Sequence, residues 1–214
     1  MEHIDSNLIK KITVEILKEL GNVNKDTGKV SVGVSSRHVH LSPEDVEQLF
    51  GKGYELKVLR NLSQPNQFAA EETVDLIGKK GIIEKVRVLG PTRKETQIEI
   101  AKTDAVKLGL NPPVKSSGEL DGTPGIIIRN GDNCIKIDKG VILAERHIHM
   151  TCKDADQYNV SNGEIVRVEV DGSKGGIFNN VAVRVSDSYS LDLHIDTDDA
   201  NAFALRTGDY VKII

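Results

Sequence analysis

Tryptophan is absent from this 214-residue chain, and aromatic side chains make up only 4% of it. Platforms on which nucleic-acid bases stack are therefore not expected. A basic face is lacking too. The formal net charge is −4 at pH 7, which argues against general nucleic-acid binding but leaves room for a phosphorylated small molecule held by a few Arg or Lys. No apolar run approaches the roughly 18–20 residues that cross a bilayer. The N-terminus shows neither the apolar core nor the small-residue cleavage site of a secretory signal, so a cytoplasmic protein without membrane association is expected. Cysteine is scarce: Cys134 and Cys152 form no CxxC and no framework, and both are expected to be free thiols. Walker-type loops, GxGxxG and GxSxG are missing, which removes P-loop nucleotide hydrolysis and serine-hydrolase chemistry.

What is present suits a soluble globular chain that folds as one domain or two small ones. Ile4, Leu8, Ile9, Ile12, Ile16, Leu17 and Leu20 recur at spacings of three and four, which predicts an amphipathic helix within 1–21. Gly21 ends it, and 22–29 reads as a polar linker. Such a helix suits a docking or targeting peptide, a driver of self-association, or a helix packed on the first domain.

Beyond the linker, short β-branched runs alternate with Gly, Asn, Asp and Pro, as at Val30–Val34, Thr73–Ile77, Val86–Leu89, Gln97–Ile100, Glu164–Val170 and Val181–Val185. That spacing predicts a mainly β fold of barrels or sandwiches. Two short helices are evident, one starting at Ser42-Pro43 and one near Thr151. Cys152 reads as a residue of that second helix start rather than as a ligand.

An internal repeat organises the rest. Ser36-Arg37-His38-Val39-His40-Leu41-Ser42 recurs as Glu145-Arg146-His147-Ile148-His149-Met150-Thr151. Downstream, Gln97-Ile98-Glu99-Ile100 corresponds to Asp192-Leu193-His194-Ile195, which places Glu99 where the second copy has His194. The expected architecture is two similar β-barrel domains related by duplication, covering 30–120 and 121–214, with strands open to exchange between them.

Side chains alternate along a strand, so His38 and His40 share one face, as do His147 and His149. Two imidazoles about 6–7 Å apart along a strand can converge on one divalent ion. With Glu99 and His194 as third ligands, the copies give a His2Glu set and a His3 set, each with an open position, as in catalytic zinc sites. A lone His-x-His is weak evidence, but five of the six histidines fall in this pattern; His3 does not. Arg37 and Arg146 point away from the imidazoles and suit buried structural ion pairs. Arg93, in a turn before the Glu99 strand, can fork onto phosphate beside the metals, or be a solvated loop cation.

These blocks, together with Arg87-Val88-Leu89-Gly90-Pro91 and Leu193 through Ala202, closely resemble the PduL-type phosphate acyltransferases (phosphate propanoyltransferases) over nearly the whole chain after about residue 30. The resemblance implies reversible conversion of acyl-CoA and phosphate into acyl phosphate and CoA, with propanoyl-CoA or acetyl-CoA as donor. It implies two β-barrel-like domains with two zinc ions between them, one on His38, His40 and Glu99 and the other on His147, His149 and His194. Arg93 matches the phosphate-contacting arginine. Ser35, Arg60, Arg87, Leu89, His194 and Asn201 fall where coenzyme A is met. Members often carry an N-terminal peptide for packaging into bacterial microcompartments, which residues 3–20 resemble. The alternatives from the residues themselves are a zinc-dependent acyl-CoA hydrolase and a non-catalytic metal-binding microcompartment component.

Overall fold

The structure, a computed structural model, describes residues 28–214. The helix expected within 1–21 and most of the linker lie outside the described residues. The described chain is mainly β. It runs β1 (Val30–Ser35), β2 (His38–His40), α1 (Pro43–Phe50), β3 (Val58–Asn61), β4 (Phe68–Ile77), β5 (Ile82–Gly90), β6 (Gln97–Glu99), α2 (Lys102–Leu108) and β7 (Val114–Lys115). A hairpin of β8 (Ile126–Asn130) and β9 (Asn133–Ile137) follows. Then come β10 (Val141–Ala144), β11 (His147–Met150), α3 (Cys152–Tyr158), β12 (Ile165–Val170), β13 (Gly176–Val185), β14 (Asp192–Asp196), α4 (Thr197–Phe203) and β15 (Tyr210–Ile213).

Six strands close a barrel in the order β1-β14-β11-β13-β12-β15. The other nine form one sheet, β7-β10-β6-β2-β5-β4-β8-β9, with β3 paired to β4. The expectation of two similar barrels is corrected here, because the second sheet is curled but not closed. Its β4 is paired along one edge by β3 over part of its length and by β8 over another. The sheet therefore continues outward into the β8–β9 hairpin instead of turning back onto β7.

Sheet membership also does not follow a division at residue 120. β1 directly precedes β2, yet it pairs in parallel with β14, Gly33 opposite His194. β10 directly precedes β11, yet it pairs in parallel with β6, Ile142 opposite Glu99. Each lead-in strand thus crosses into the sheet that holds the other histidine pair.

The local wiring around the two histidine strands matches. β2 lies between β5 (parallel) and β6 (antiparallel), with His38 opposite Glu99. β11 lies between β13 (parallel) and β14 (antiparallel), with His147 opposite His194. Alternation then sorts the side chains. Val39, Val88 and Ile98 turn into the core of the open sheet, and Ile148, Val183 and Leu193 into the barrel, all buried. Burying each such side chain contributes on the order of 1.5–3 kcal/mol. That burial fixes the register, since a slip of one residue would turn the histidines inward.

Short helices follow each histidine strand and each third-ligand strand. Ser42 caps α1 by accepting from the Asp45 N–H at 3.1 Å, with Pro43 in the first turn. Thr151 and Asp154 cap α3 reciprocally. The sequence shows these two helices but not α2 and α4, which are seven residues each. The signals at those two are weak: α2 begins after Ala101, which has no capping side chain, and α4 offers a cap, Asp196, but few periodic apolar positions.

Candidate metal and active site

The polar faces of the two sheets carry one cluster each. His38, His40 and Glu99 present ligand atoms within 4.8 Å of one another, and so do His147, His149 and His194. Each histidine strand orients its first imidazole in the same way. His38 Nδ1 donates to the Ser36 carbonyl and His147 Nδ1 to the Glu145 carbonyl, both at 2.8 Å. That leaves Nε2 of each ring to face its cluster. The second imidazoles have the opposite problem. Nδ1 of His40 and of His149 is buried with no hydrogen-bond partner. An unpaired buried nitrogen costs about 1–3 kcal/mol, and a cation in each cluster would satisfy both. The donor sets, His2Glu and His3, suit zinc. The residues fit such a metal.

The protonation states agree with a ligand role. Burial, then the Arg184 charge, pushes His147 down to about 3. Burial, then His194 and Arg184, does the same to His149, also to about 3. Burial, then the charges of His38 and Arg93, holds His40 well below its ordinary value. These three rings are neutral at pH 7, with a lone pair to offer. Burial disfavours the Glu99 anion, but the His38 charge and hydrogen bond outweigh it and hold the carboxyl well below the usual carboxylate range. His38 moves up correspondingly: burial opposes its charge, and Glu99 overcomes that.

Supporting side chains occupy equivalent places in the two clusters. Gln97, two residues before Glu99, donates from Nε2 to Glu99 Oε1 at 2.6 Å and accepts from the Gly118 N–H at 2.7 Å. Asp192, two residues before His194, brings Oδ2 to 3.2 Å from His194 Nε2. Ser31 and Ser63 donate to the Asp192 carboxylate at 2.7 and 3.0 Å. Tyr189 stacks on the His149 ring with centroids 4.3 Å apart.

The sheets face one another across these clusters. Ser63 reaches Asp192 from the open sheet, and Gln64 donates to the Ser190 carbonyl at 3.0 Å while accepting from the Ser190 N–H. Arg93 leaves the end of β5, half-buried, and donates to Ser117 Oγ at 2.7 Å. Ser117 in turn contacts Glu99 Oε1 at 3.2 Å. Arg93 is thus tied to the first cluster rather than solvated in a loop.

A family model of phosphate propanoyltransferases matches residues 31–206. The chain belongs to the phosphate propanoyltransferase family. It is 54% identical to the phosphate propanoyltransferase of Thermotoga maritima, over 90% of this chain and 91% of that protein. It is 47% identical to that of Clostridioides difficile over 97% and 98% of the two chains. With that of Sebaldella termitidis the identity is 46%, over 96% of both. As a member of this family the protein is an acyltransferase.

For a phosphate propanoyltransferase the remaining residues singled out in the sequence are unevenly placed. Ser35 Oγ lies 3.5 Å from His38 Nδ1. Leu89 follows Val88 on β5, half-buried beside the first cluster. Arg60, Ala69 and Leu89 form one rung across β3, β4 and β5, and Arg60 is exposed. Arg87 sits opposite His38, but its guanidinium is turned onto β4, where it donates to the Ala70 and Glu71 carbonyls. Asn201 is exposed on α4. Arg37 pairs with Asp104 at 2.9 Å and Arg146 with Asp199 at 2.8 Å. Both are structural pairs, but the arginine ends are 44% and 35% exposed and Asp199 is half-buried, so of the four groups only the Asp104 carboxylate is buried as expected. Cys152 opens α3 and, like Cys134, is free and exposed.

Sequence reasoning missed Gln97, Asp192, Ser117, Tyr189 and Arg184. For the first two the signal was available, since a side chain two residues before a ligand on a strand shares its face. No helix among the described residues is long and apolar enough to cross a membrane.

Proposed function

We propose that the protein exchanges an acyl group between coenzyme A and phosphate, propanoyl-CoA or acetyl-CoA being the donor. In this reading His38, His40 and Glu99 hold one zinc, and His147, His149 and His194 hold a second. The observation that carries it is the pairing of two triads, each with one buried unpartnered imidazole nitrogen, beside a half-buried Arg93. The matched registers of the two triads support reading the halves as copies of one unit.

When bound, zinc supplies polarisation of the thioester carbonyl, compensation of the charge that develops on its oxygen, and stabilisation of a soft thiolate. The chain's own residues do the positioning. Arg93, steadied by Ser117, orients phosphate within the roughly 3–3.5 Å of a near-attack geometry. A phosphate oxygen bonds to the thioester carbon, the C–S bond breaks with its electron pair leaving on sulfur, and acyl phosphate and CoA depart. Phosphate is partly a dianion at neutral pH and needs orientation more than deprotonation. Leu89 offers an apolar surface beside the first triad, and Ser35, Arg60, Arg87, Asn201 and His194 are the proposed coenzyme A contacts. Direct attack is favoured over an acyl-enzyme because both cysteines are exposed and neither belongs to a triad. Residues 3–20 are proposed as a docking peptide for a bacterial microcompartment.

The test is release of free CoA from a panel of acyl-CoAs with and without phosphate, with metal analysis of the same sample. Phosphate-dependent release with two zinc per chain is expected; equal release without phosphate would identify a hydrolase. Arg93→Ala should cut turnover by about 10²–10³ with metal retained.

A further inference from the structure

The two triads share their wiring but not the side chain that stands opposite the second histidine. On β5, Arg87 and Val88 pair with His38 and Val39, so Leu89 is the next residue, alongside His40. On β13, Ala182 and Val183 pair with His147 and Ile148, and Arg184 stands opposite His149. One wall position is therefore apolar beside the first triad and cationic beside the second.

Alternation on β13 puts Val183 into the barrel core and Arg184 on the triad face, with a half-buried side chain. Its NH2 pairs with Glu145 Oε1 at 3.0 Å. Ser116, from the segment after β7, also donates to that carboxylate oxygen. Glu145 is the residue whose carbonyl orients His147. Arg184 is thus held at the second triad by a residue already committed to building it. In the first triad the equivalent residue is Ser36, which carries no charge, and no cation stands there to be held.

Arg93 approaches from the first triad's side. It donates to Ser117, the residue after Ser116, so one short segment reaches both Arg93 and the Glu145 carboxylate that pairs with Arg184. Burial lowers the Arg93 guanidinium below its ordinary value, with Glu99 opposing and Arg184 adding to it. Two guanidinium groups held through neighbouring residues of one segment can serve one anion, since a tetrahedral oxyanion can accept a planar fork from each side.

We propose that Arg184 is a second phosphate-holding guanidinium, which grips the phosphate of phosphate or acyl phosphate on the His147–His149–His194 side while Arg93 grips it from the other. The proposal rests on the acyl-transfer reading and sharpens it. Substrate polarity follows the wall: the acyl and thioester part lies towards Leu89, and the phosphoryl part towards Arg184. Glu145 holds the guanidinium ready when phosphate is away.

Steady-state kinetics of the metal-loaded enzyme test this with Arg184→Gln, Arg184→Lys and Arg93→Ala. Arg184→Gln should raise the KM for phosphate by about tenfold or more, change the KM for acyl-CoA less than about twofold, and leave bound zinc unchanged. Arg184→Lys keeps the charge but loses the fork, so its phosphate KM should lie between those of wild type and the Gln variant. A phosphate KM within about twofold of wild type in both Arg184 variants, with Arg93→Ala raised, overturns the proposal and leaves the wider reading intact. If Arg93→Ala also leaves it unmoved, the proposal falls together with the Arg93 assignment, whereas the wider reading fails only if wild-type release of CoA does not depend on phosphate. Loss of zinc in both Arg184 variants assigns Arg184 a structural role and overturns the proposal too.

Discussion

Asp192 and His194 stand on the same face of β14, with the carboxylate 3.2 Å from the ring Nε2. A carboxylate placed there selects the tautomer and fixes the ring plane, leaving Nδ1 for a metal. Asp192→Asn should weaken metal binding at the second triad by about 10–100-fold. Chelator competition read against wild type checks it, and an unaltered zinc affinity would remove Asp192 from this role.

Gln97 does the equivalent work at the first triad through an amide. It is almost fully buried and ties Glu99 to the Gly118 backbone. Gln97→Leu should cost about 1–3 kcal/mol of stability by stranding the Gly118 N–H and leaving Glu99 Oε1 to Ser117 alone. Denaturant unfolding with metal titration measures both effects; affinity should fall at one of the two sites while the other keeps its own.

Gly33 is required by contact rather than by backbone conformation. A Cβ there would lie 2.7 Å from Asp192 Oδ2 and 3.1 Å from His194 Cδ2. Gly33→Ala should displace that pair, at about 1–3 kcal/mol, and lower zinc at the second triad. A variant with full metal content and unchanged stability would contradict the close packing described.

In the metal-stripped protein the second triad makes stability depend on pH. His147 and His149 titrate near 3 when folded and near 6.5 when unfolded, so the unfolded chain binds more protons between those values. Their stabilisation is present above pH 6.5 and is lost as pH falls towards 3. The loss is at most about 1.4 kcal/mol per unit for each ring. His40 adds to the same slope, and His38, shifted upward, opposes it. Unfolding midpoints from pH 7.5 to 4 in chelator should fall steadily; a flat profile would refute the assignment.

Reading the sequence went furthest where the chemistry was local. Period-2 alternation put His38 with His40 and His147 with His149, and aligning the repeats joined them to Glu99 and His194 across a long stretch of chain. The closure of one sheet and not the other depends on how β3 and β8 share β4, a long-range pairing with no local signature. Arg184 was overlooked because one polar residue in Val181–Val185 reads as an ordinary outward side chain until its partner strand is known. The structural roles of Arg37 and Arg146 were legible, but their partial exposure was not, since exposure depends on what covers the strand.

The crossing of β1 and β10 has a consequence for how this chain can be taken apart. The barrel takes its first stave from upstream of the first histidine pair, and the open sheet takes one from upstream of the second. A cut near residue 120 would leave the first fragment holding β1, which belongs to the barrel, and the second holding β8, β9 and β10, which belong to the open sheet. Such fragments would behave as halves of a clasp, each exposing an unpaired edge until it closed on the other. Glu99 and His194, the third members of the two triads, sit on the very strands that the crossing segments pair with, so the fastening that makes the chain indivisible also lies against both candidate metal sites.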